Sequence, residues 1–352
     1  MQKLFIPTHI KNTPGCQIAL ETNQNIARDS GFEHQVFFPD IGPNIGLPNG
    51  STTLMPSNCL LSPSFIGHDI GCGYLLASLS VNASSFSKKK GVDRKKVQRL
   101  VDRLSEALIA RQHESLIGKG NHFVDLMFVD EVYGASIHDR AGKLFVFIHT
   151  GSGQKGFEIF SKWQKMRISA TDAAVFNPDF LNVFAEARKH AMDRRTKLLD
   201  IVCEELGEKY GRDLEPDVLL NVPHNEIVEV ESGYRIQKGT QVFTKGLAVL
   251  AGSSTDFSYV VSPGSNSERA LHTINHGAGR RFDKSKARHR LKPSDVEAMF
   301  RDVALNVPFN KFIEQAPQSY REMGEIVYYL ESECLIKKVC RLKPIGVIVE
   351  GD

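Results

Sequence analysis

Five short segments constrain this chain most, because each places a histidine, cysteine or aspartate beside glycines or a turn proline. The segments are Gly67–Gly73, Gly118–Phe123, His149–Gly153, Pro223–Asn225 and His276–Arg280. Glycine permits close backbone approach, and loops at strand ends commonly carry binding groups. Since the segments lie far apart in the chain, a fold that unites them must wrap most of the chain around one cleft.

Together the segments supply the donor types that hold a divalent metal ion. The donors are one carboxylate, one thiol and three imidazoles: Asp69, Cys72, His122, His149 and His224. These are ordinary protein ligands for divalent transition metals. A single histidine after a strand is more often a hydrogen-bonded loop residue, and a lone cysteine is more often a small buried side chain. Five such donors in one kind of setting favour a metal site.

The pattern of apolar residues predicts an α+β fold. The first 70 residues, rich in proline, glycine and asparagine, are expected to form strands joined by turns and long loops. Strands are predicted around 73–81, 122–129, 143–149 and within 216–262, and helices over 97–108 (capped by Asp93), 178–210, 294–305 and 317–329. Since these blocks show no regular βαβ alternation, α+β is favoured over a doubly wound sheet. With no internal repeat or linker, a single domain over 1–352 is expected.

One glycine pattern supports a competing interpretation. Gly151–Gly156 fits the G-x-G-x-x-G turn of dinucleotide-binding folds, and Asp172 lies near the expected acidic position. No βαβ series follows this segment. A histidine at the end of the strand, such as His149, is also not required for binding a pyrophosphate. Dinucleotide binding therefore stays open as an alternative.

The chain has the features of a cytoplasmic protein. No apolar run approaches the ~20 residues that span a bilayer, so no membrane partner is expected. The first residues lack the pattern of a signal peptide. Six cysteines at unlike spacings favour free thiols in a reducing compartment over a disulfide framework.

Positive charge is concentrated in two places, although the net charge is only +3. Basic residues cluster over 88–103, including Lys89 and Lys90, and again over 280–290. A run of charge is usually a solvated face. The second cluster begins inside the His276–Arg280 segment, so a contact with phosphate is expected there.

The ordered motifs resemble those of the RtcB family of RNA ligases. They are Asp-Ile-Gly-Cys-Gly, Gly-Asn-His-Phe, His-Thr-Gly-Ser, Pro-His-Asn and His-Gly-Ala-Gly-Arg, and the resemblance extends from about residue 40 to the C-terminus. It implies an RtcB-like layered fold, with central β-sheets flanked by helices around a deep metal-binding cleft. The short length is similar to the compact branch associated with peptide release factor H, which implies a link to that factor and to ribosomes.

The resemblance implies an RNA repair enzyme that uses GTP and manganese. Such enzymes join RNA with a 3′-phosphate or 2′,3′-cyclic phosphate end to RNA with a 5′-hydroxyl end. His276 would be the nucleophile that forms a histidine–GMP intermediate. Two Mn²⁺ ions would be held by the five donors named above, with Cys72 bridging them as a thiolate.

The resemblance also assigns the residues that would bind the substrates. The cofactor-binding residues would be Asn121, Asp125, Ser253, His276, Gly277, Ala278 and Gly279, and the residues for RNA or phosphate would be Arg280, Lys155 and Lys284. Three positions depart from the family pattern. Gly153 replaces a usual arginine, Asp125 replaces a usual glutamate, and the lysine near the C-terminus that helps to hold guanine is absent. The first departure affects the expected binding of the RNA end, and the other two affect the expected preference for guanine.

Two other functions remain open from the sequence. One is a metal-dependent phosphodiesterase or phosphatase that acts on RNA 3′ ends without ligation. The other is a non-catalytic RNA- or ribosome-binding protein whose metal site is structural.

Overall fold

The computed structural model describes residues 1–88, 91–110, 116–165 and 173–351. The α-helices in these ranges are α1 (Thr8–Lys11), α2 (Pro14–Ser30), α3 (Arg94–Ser105), α4 (Gln154–Gln164), α5 (Ala173–Tyr210), α6 (Lys284–Arg290), α7 (Pro293–Glu297) and α8 (Met323–Ser332). The strands are β1 (Gln2–Leu4), β2 (His34–Gly42), β3 (Asn49–Pro56), β4 (Gly73–Asn82), β5 (Ser87–Lys88), β6 (Gly91–Val92), β7 (Phe123–Val132), β8 (Lys143–Thr150), β9 (Asp217–Pro223), β10 (Asn225–Val230), β11 (Gly233–Lys238), β12 (Thr240–Val242), β13 (Ala248–Leu250), β14 (Ser258–Pro263), β15 (Thr273–Asn275), β16 (Ala304–Leu305) and β17 (Ile336–Ile348). The predicted α+β class is confirmed.

Two sheets dominate the fold. The larger has the order β13-β14-β17-β7-β8-β4-β9, with β16 added in parallel on β17. The smaller has the order β1-β2-β3-β11-β10. Strand β8 runs antiparallel to both of its neighbours, β7 and β4. The dinucleotide-fold interpretation of Gly151–Gly156 is therefore wrong, because that fold needs parallel βαβ pairing at this turn. Asp172 lies outside the described residues.

The strand order brings four chain segments to one edge of the larger sheet. In the antiparallel register, Gly73 lies opposite Thr150 on one side and Pro223 on the other, and Phe123 lies opposite His149. The start of β4, the end of β8, the start of β7 and the end of β9 therefore meet. Each of these points carries one of the predicted metal donors.

Successive side chains along the strands point to opposite faces of this sheet, and a hydrophobic core forms on each face. On β8, Leu144, Val146 and Ile148 pack with α3 and α5 on one face. Phe145 and Phe147 pack on the opposite face, as the period of two requires. The predicted helix from Asp93 is confirmed, and the Asp93 side chain accepts a hydrogen bond from the Lys96 backbone N–H. Among the described helices, none has the combination of length and apolar composition needed to cross a membrane.

Two expectations about helices are wrong. The N-terminal region, expected as strands and loops, contains α2, which begins with Pro14 after the N-cap Thr13. A threonine followed by a proline is a start signal for a helix. The prediction of strands and loops rested instead on the many turn residues that follow α2. The helix expected over 294–305 ends at Glu297, because Ala304 and Leu305 pair as β16 with the buried strand β17. Tertiary pairing overrides local helical spacing there.

Helix α3 offers a test of the packing on the larger sheet. Leu104 is fully buried in the core that α3 shares with α5. We expect Leu104→Ala to lower the free energy of unfolding by about 2–5 kcal/mol, because it leaves a cavity against the sheet. Urea unfolding measures this change. The exposed Lys95→Ala on the same helix is the control, and equal effects of the two substitutions would contradict the packing described.

Candidate metal and nucleotide site

The five predicted metal donors lie together at the edge of the larger sheet. The Cys72 Sγ atom is 3.3 Å from His122 Nε2 and 3.2 Å from His149 Nε2, and these three ligand atoms lie within 4.8 Å of one another. His224 Nε2 is 2.9 Å from His149 Nε2, and Asp69 Oδ1 is 3.9 Å from His122 Nε2. The cluster is capable of binding metal, and the role of each residue remains a prediction.

Hydrogen bonds orient two of the imidazoles so that their Nε2 atoms face each other. His149 Nδ1 donates to the Asn121 carbonyl at 2.9 Å, so the neutral ring carries its lone pair on Nε2. His224 Nδ1 faces Asn225 Oδ1 at 3.4 Å, and the Gly239 backbone N–H donates to the same oxygen at 2.8 Å. Two Nε2 lone pairs and the Cys72 sulfur therefore converge. A bound cation is the group that this arrangement fits.

Burial keeps the donor set ready for a metal ion. It lowers the pKa of His149 and of His224 well below the ordinary histidine value, so both rings are neutral at neutral pH. Burial also lowers the pKa of His122, although the Asp69 carboxylate acts in the opposite direction. Burial, assisted by the Asp69 carboxylate, raises the pKa of the Cys72 thiol well above its usual value. Without a metal the thiol therefore keeps its proton at neutral pH, and it must release this proton when a metal binds.

Two residues outside the predicted set hold the ligand loops close together. A Cβ atom on Gly151 would lie 2.5 Å from Asp69 Oδ1, so only glycine allows this approach. The fully buried Arg195 on α5 donates through Nη1 to the Gly71 carbonyl at 3.0 Å and the Thr150 carbonyl at 2.8 Å. Sequence reasoning missed Arg195. Its signal is an arginine on the helix face otherwise formed by Ala191, Leu198 and Val202.

The predicted nucleophile His276 lies beside this cluster and is oriented from the smaller sheet. Its Nδ1 donates to Asp40 Oδ2 at 2.6 Å and to the Gly239 carbonyl at 2.8 Å. The Nε2 atom of the neutral ring therefore carries the lone pair. The ring centroid is 4.6 Å from that of His224. Sequence reasoning missed Asp40, whose side chain is fully buried. The sequence feature that could have indicated Asp40 is a carboxylate directly after the apolar run Val36–Phe38 and Pro39.

His276 and two members of the metal-capable cluster, His122 and His149, line one cavity of about 710 Å³. This volume lies in the range of ligand pockets. Most of the residues assigned by resemblance to nucleotide or phosphate binding line the cavity, namely Asn121, Asp125, Ser253, His276, Gly277, Ala278, Gly279, Arg280 and Lys284. Among the described residues, the predicted phosphate residue Lys155 does not line it, and its Nζ lies 3.8 Å from Glu186 Oε2.

Five buried polar atoms of residues that line the cavity have no partner among the described residues. They are Asp40 Oδ1, His122 Nδ1, Asp125 Oδ1, Gln315 Nε2 and Arg321 Nη1. Gln315 Oε1 accepts a hydrogen bond from the Tyr320 hydroxyl at 2.6 Å, which leaves Nε2 as a donor. Burial raises the pKa of Asp125 well above its usual value. An acceptor and a donor without partners indicate a place for a polar ligand.

The basic cluster over 280–290 is partly neutralised within the protein. Arg280 donates to the Phe282 carbonyl, the Tyr320 hydroxyl and the Glu314 carbonyl at 3.1, 3.1 and 2.7 Å. Lys284 and Arg288 both pair with the Glu314 carboxylate, at 3.3 and 2.7 Å. In the other cluster, Lys89 and Lys90 lie outside the described residues.

Fold and site together define an α+β protein with a buried Cys-His-His cluster next to a nucleotide-sized cavity. The family profile described as tRNA-splicing ligase RtcB matches residues 101–350, well over half of the chain. The chain belongs to the RtcB family, as the sequence motifs predicted. It is 26% identical to the RNA-splicing ligase RtcB2 of Escherichia coli, over 93% of this chain and 91% of the relative. These matches support an RNA ligase that acts on RNA.

The buried carboxyl of Asp125 predicts a pH-dependent stability. Because its folded pKa is raised, the folded protein binds this proton more tightly than the unfolded chain does. Stability is therefore lost as the pH rises from about 4, near the unfolded pKa, toward the folded pKa. We expect Asp125→Asn to raise the melting temperature of the metal-free protein at pH 8 but not at pH 4. The exposed Asp302→Asn is the control, and a gain independent of pH would contradict the prediction.

Proposed function

We propose that this protein is a GTP- and manganese-dependent RNA ligase that acts in RNA repair. It joins RNA ends that carry a 3′-phosphate or 2′,3′-cyclic phosphate to ends that carry a 5′-hydroxyl. One observation carries the proposal: the His276 ring, held at Nδ1 by Asp40, lies 4.6 Å from the ring of His224 in the metal-capable set. Membership of the RtcB family supports RNA as the substrate.

Cys72, His122, His149, His224 and Asp69 would hold the proposed manganese ions, since their donor atoms lie close together. When bound, such ions neutralise phosphate charge and align attacking and leaving oxygens. Only Asp69 and Cys72 bring negative charge to the set. With divalent ions present, the site has an excess of positive charge and attracts phosphate groups.

The geometry of His276 supports nucleophilic attack on a nucleotide. The Nε2 lone pair attacks the α-phosphorus of GTP, an N–P bond forms, the α–β P–O bond breaks, and pyrophosphate leaves. Asp40 and the Gly239 carbonyl hold the Nδ1 proton and stabilise the positive charge that develops on the ring. A 3′-phosphate oxygen of the RNA then attacks the histidine-bound phosphorus. The N–P bond breaks, and His276 regains its lone pair.

Ligation follows from this activated end. The 5′-hydroxyl oxygen attacks the 3′-phosphorus, GMP leaves, and the hydroxyl proton passes to solvent. A 2′,3′-cyclic phosphate must first be opened by water to a 3′-phosphate. On the cavity wall, Asp125 Oδ1 and Gln315 Nε2 offer an acceptor and a donor to the guanine base. Asn121, Ser253 and the backbone of Gly277–Gly279 line the same cavity and would bind the nucleotide phosphate.

The whole chain is proposed to act as one catalytic domain, because the lining of the cavity runs from Thr13 to Val349. The functional link to peptide release factor H and ribosomes is part of the proposal. It is supported by the similarity to the compact branch of the family.

Covalent labelling tests the nucleophile. With GTP labelled at the α-phosphate and Mn²⁺, we expect label on the wild type after denaturing electrophoresis and none on His276→Ala. Asp40→Asn should slow labelling by about 10²-fold or more, because Nδ1 loses its charged partner. The exposed His289→Ala should label normally. A wild type that is never labelled but hydrolyses RNA 3′ ends would favour the phosphodiesterase, and one without either activity would favour the binding protein.

The salt dependence of RNA binding tests the second basic cluster. Lys284→Ala and Arg288→Ala should each weaken RNA binding, and each should reduce the slope of log K against log[salt] by about 1 if it contacts a phosphate. Neutral substitutions are chosen because a glutamate at either position would lie against Glu314. Lys311→Ala, another exposed cation, is the control. Unchanged affinity at low salt in both variants would argue against this cluster as the RNA surface.

A further inference from the structure

Tyr74, near the start of β4, lies between the metal-capable set and the proposed nucleophile. Its ring centroid is 4.8 Å from that of His149 and 5.1 Å from that of His224. The ring of His276 lies 6.2 Å away and nearly parallel, with an interplanar angle of 17°. The ring of Phe147 packs against Tyr74 at 4.9 Å. The phenol ring therefore contacts both parts of the site.

Packing fixes this ring and places its hydroxyl beside the nucleotide-sized cavity. Tyr74 is only 2% exposed, yet it is one of the residues that line the cavity. The hydroxyl oxygen lies 3.6 Å from the position that a Cβ atom on Gly277 would take. Gly277 directly follows His276 and lines the same cavity. The hydroxyl is therefore held at the cavity wall, next to the backbone that follows the proposed nucleophile.

The Tyr74 hydroxyl has no hydrogen-bond partner within the part of the chain that the structure describes. Such a hydroxyl costs stability in a nearly buried place, and a phenylalanine would fill the same space without this cost. The phenol carries its proton at neutral pH and is able to donate. By contrast, Arg280 and Lys284 on the cavity wall already bind groups of the protein. Tyr74 thus offers the cavity a donor that the fold does not use.

We propose that the Tyr74 hydroxyl donates a hydrogen bond to a non-bridging oxygen of the nucleotide phosphate that His276 attacks. The inference rests on the proposed ligase function and adds a residue that contacts its nucleotide substrate. A hydrogen bond to a charged oxygen is stronger than one between neutral groups. Because the surrounding rings hold the phenol in place, the donor needs little reorganisation when the nucleotide binds and reacts. The hydroxyl keeps its proton throughout the reaction.

The unused donor can be tested first by stability, since Tyr74→Phe removes the hydroxyl and keeps the ring. Without ligands, we expect the melting temperature of Tyr74→Phe to equal or exceed that of the wild type, because an unpartnered hydroxyl is lost. With GMP and Mn²⁺ added, the wild type should gain more stability than the variant. A variant that melts below the wild type without ligands would show that the hydroxyl serves the fold, which would overturn the proposal.

The phosphate contact is tested by comparing GMP with guanosine, which differ only in the phosphate. With Mn²⁺ present, Tyr74→Phe should weaken GMP binding about tenfold or more, as loss of a hydrogen bond to a charged group predicts. The affinities for guanosine and for Mn²⁺ should not change. The kcat/KM for labelling by GTP should fall by at least the same factor. Tyr328→Phe, at a tyrosine that is 75% exposed, is the matched control.

Three further results overturn the proposal. If Tyr74→Phe leaves GMP binding unchanged, the hydroxyl is not a ligand contact. If it weakens GMP and guanosine equally, the hydroxyl contacts the nucleoside or shapes the cavity. An equal loss of Mn²⁺ affinity would show that Tyr74 acts through the metal-capable set.

Failure of the ligase function has a different outcome. A wild type that is never labelled by GTP, but whose affinity for GMP depends on the Tyr74 hydroxyl, contradicts the ligase and leaves the phosphate contact in place. A wild type that does not bind GMP at all contradicts both.

Discussion

The site depends on the antiparallel register of β7, β8, β4 and β9. Because Gly73 faces both Thr150 and Pro223, the residues just outside these strand ends meet at one edge of the sheet. The register allows no slip, since moving one strand by a single residue would turn its side chains to the other face. Arg195 on α5 stabilises this edge, because its guanidinium donates hydrogen bonds to the carbonyls of both Gly71 and Thr150.

A second constraint comes from the smaller sheet, which orients His276 toward that edge. Asp40 lies near the end of β2 and Gly239 directly after β11, and both accept from the same ring nitrogen. The metal-capable set and the proposed nucleophile are thus held by different sheets. Tyr74 of the larger sheet stacks on the His276 ring, with the ring centroids 6.2 Å apart. The alignment of the two groups therefore depends on how the sheets pack.

Polar groups from distant parts of the chain lie beside the site. The Arg194 guanidinium of α5 lies where a side chain at position 153 would be. Gln315 Nε2, which has no partner among the described residues, belongs to the same cavity as Asp125. A motif comparison confined to neighbouring residues does not find them.

The sequence by itself determined the donor types, the order of the motifs, the α+β class and the membership of the RtcB family. Those features depend on residue identity and local spacing, which the sequence contains directly. The helix α2 was missed because its start signal is short, and the helix over 294–305 was overestimated because pairing with β17 competes with local spacing. Only the tertiary structure revealed Asp40, Arg194, Arg195 and Gln315 beside the site. Their roles arise from contacts across sheets and helices, and such contacts leave no periodic pattern in the residues around them.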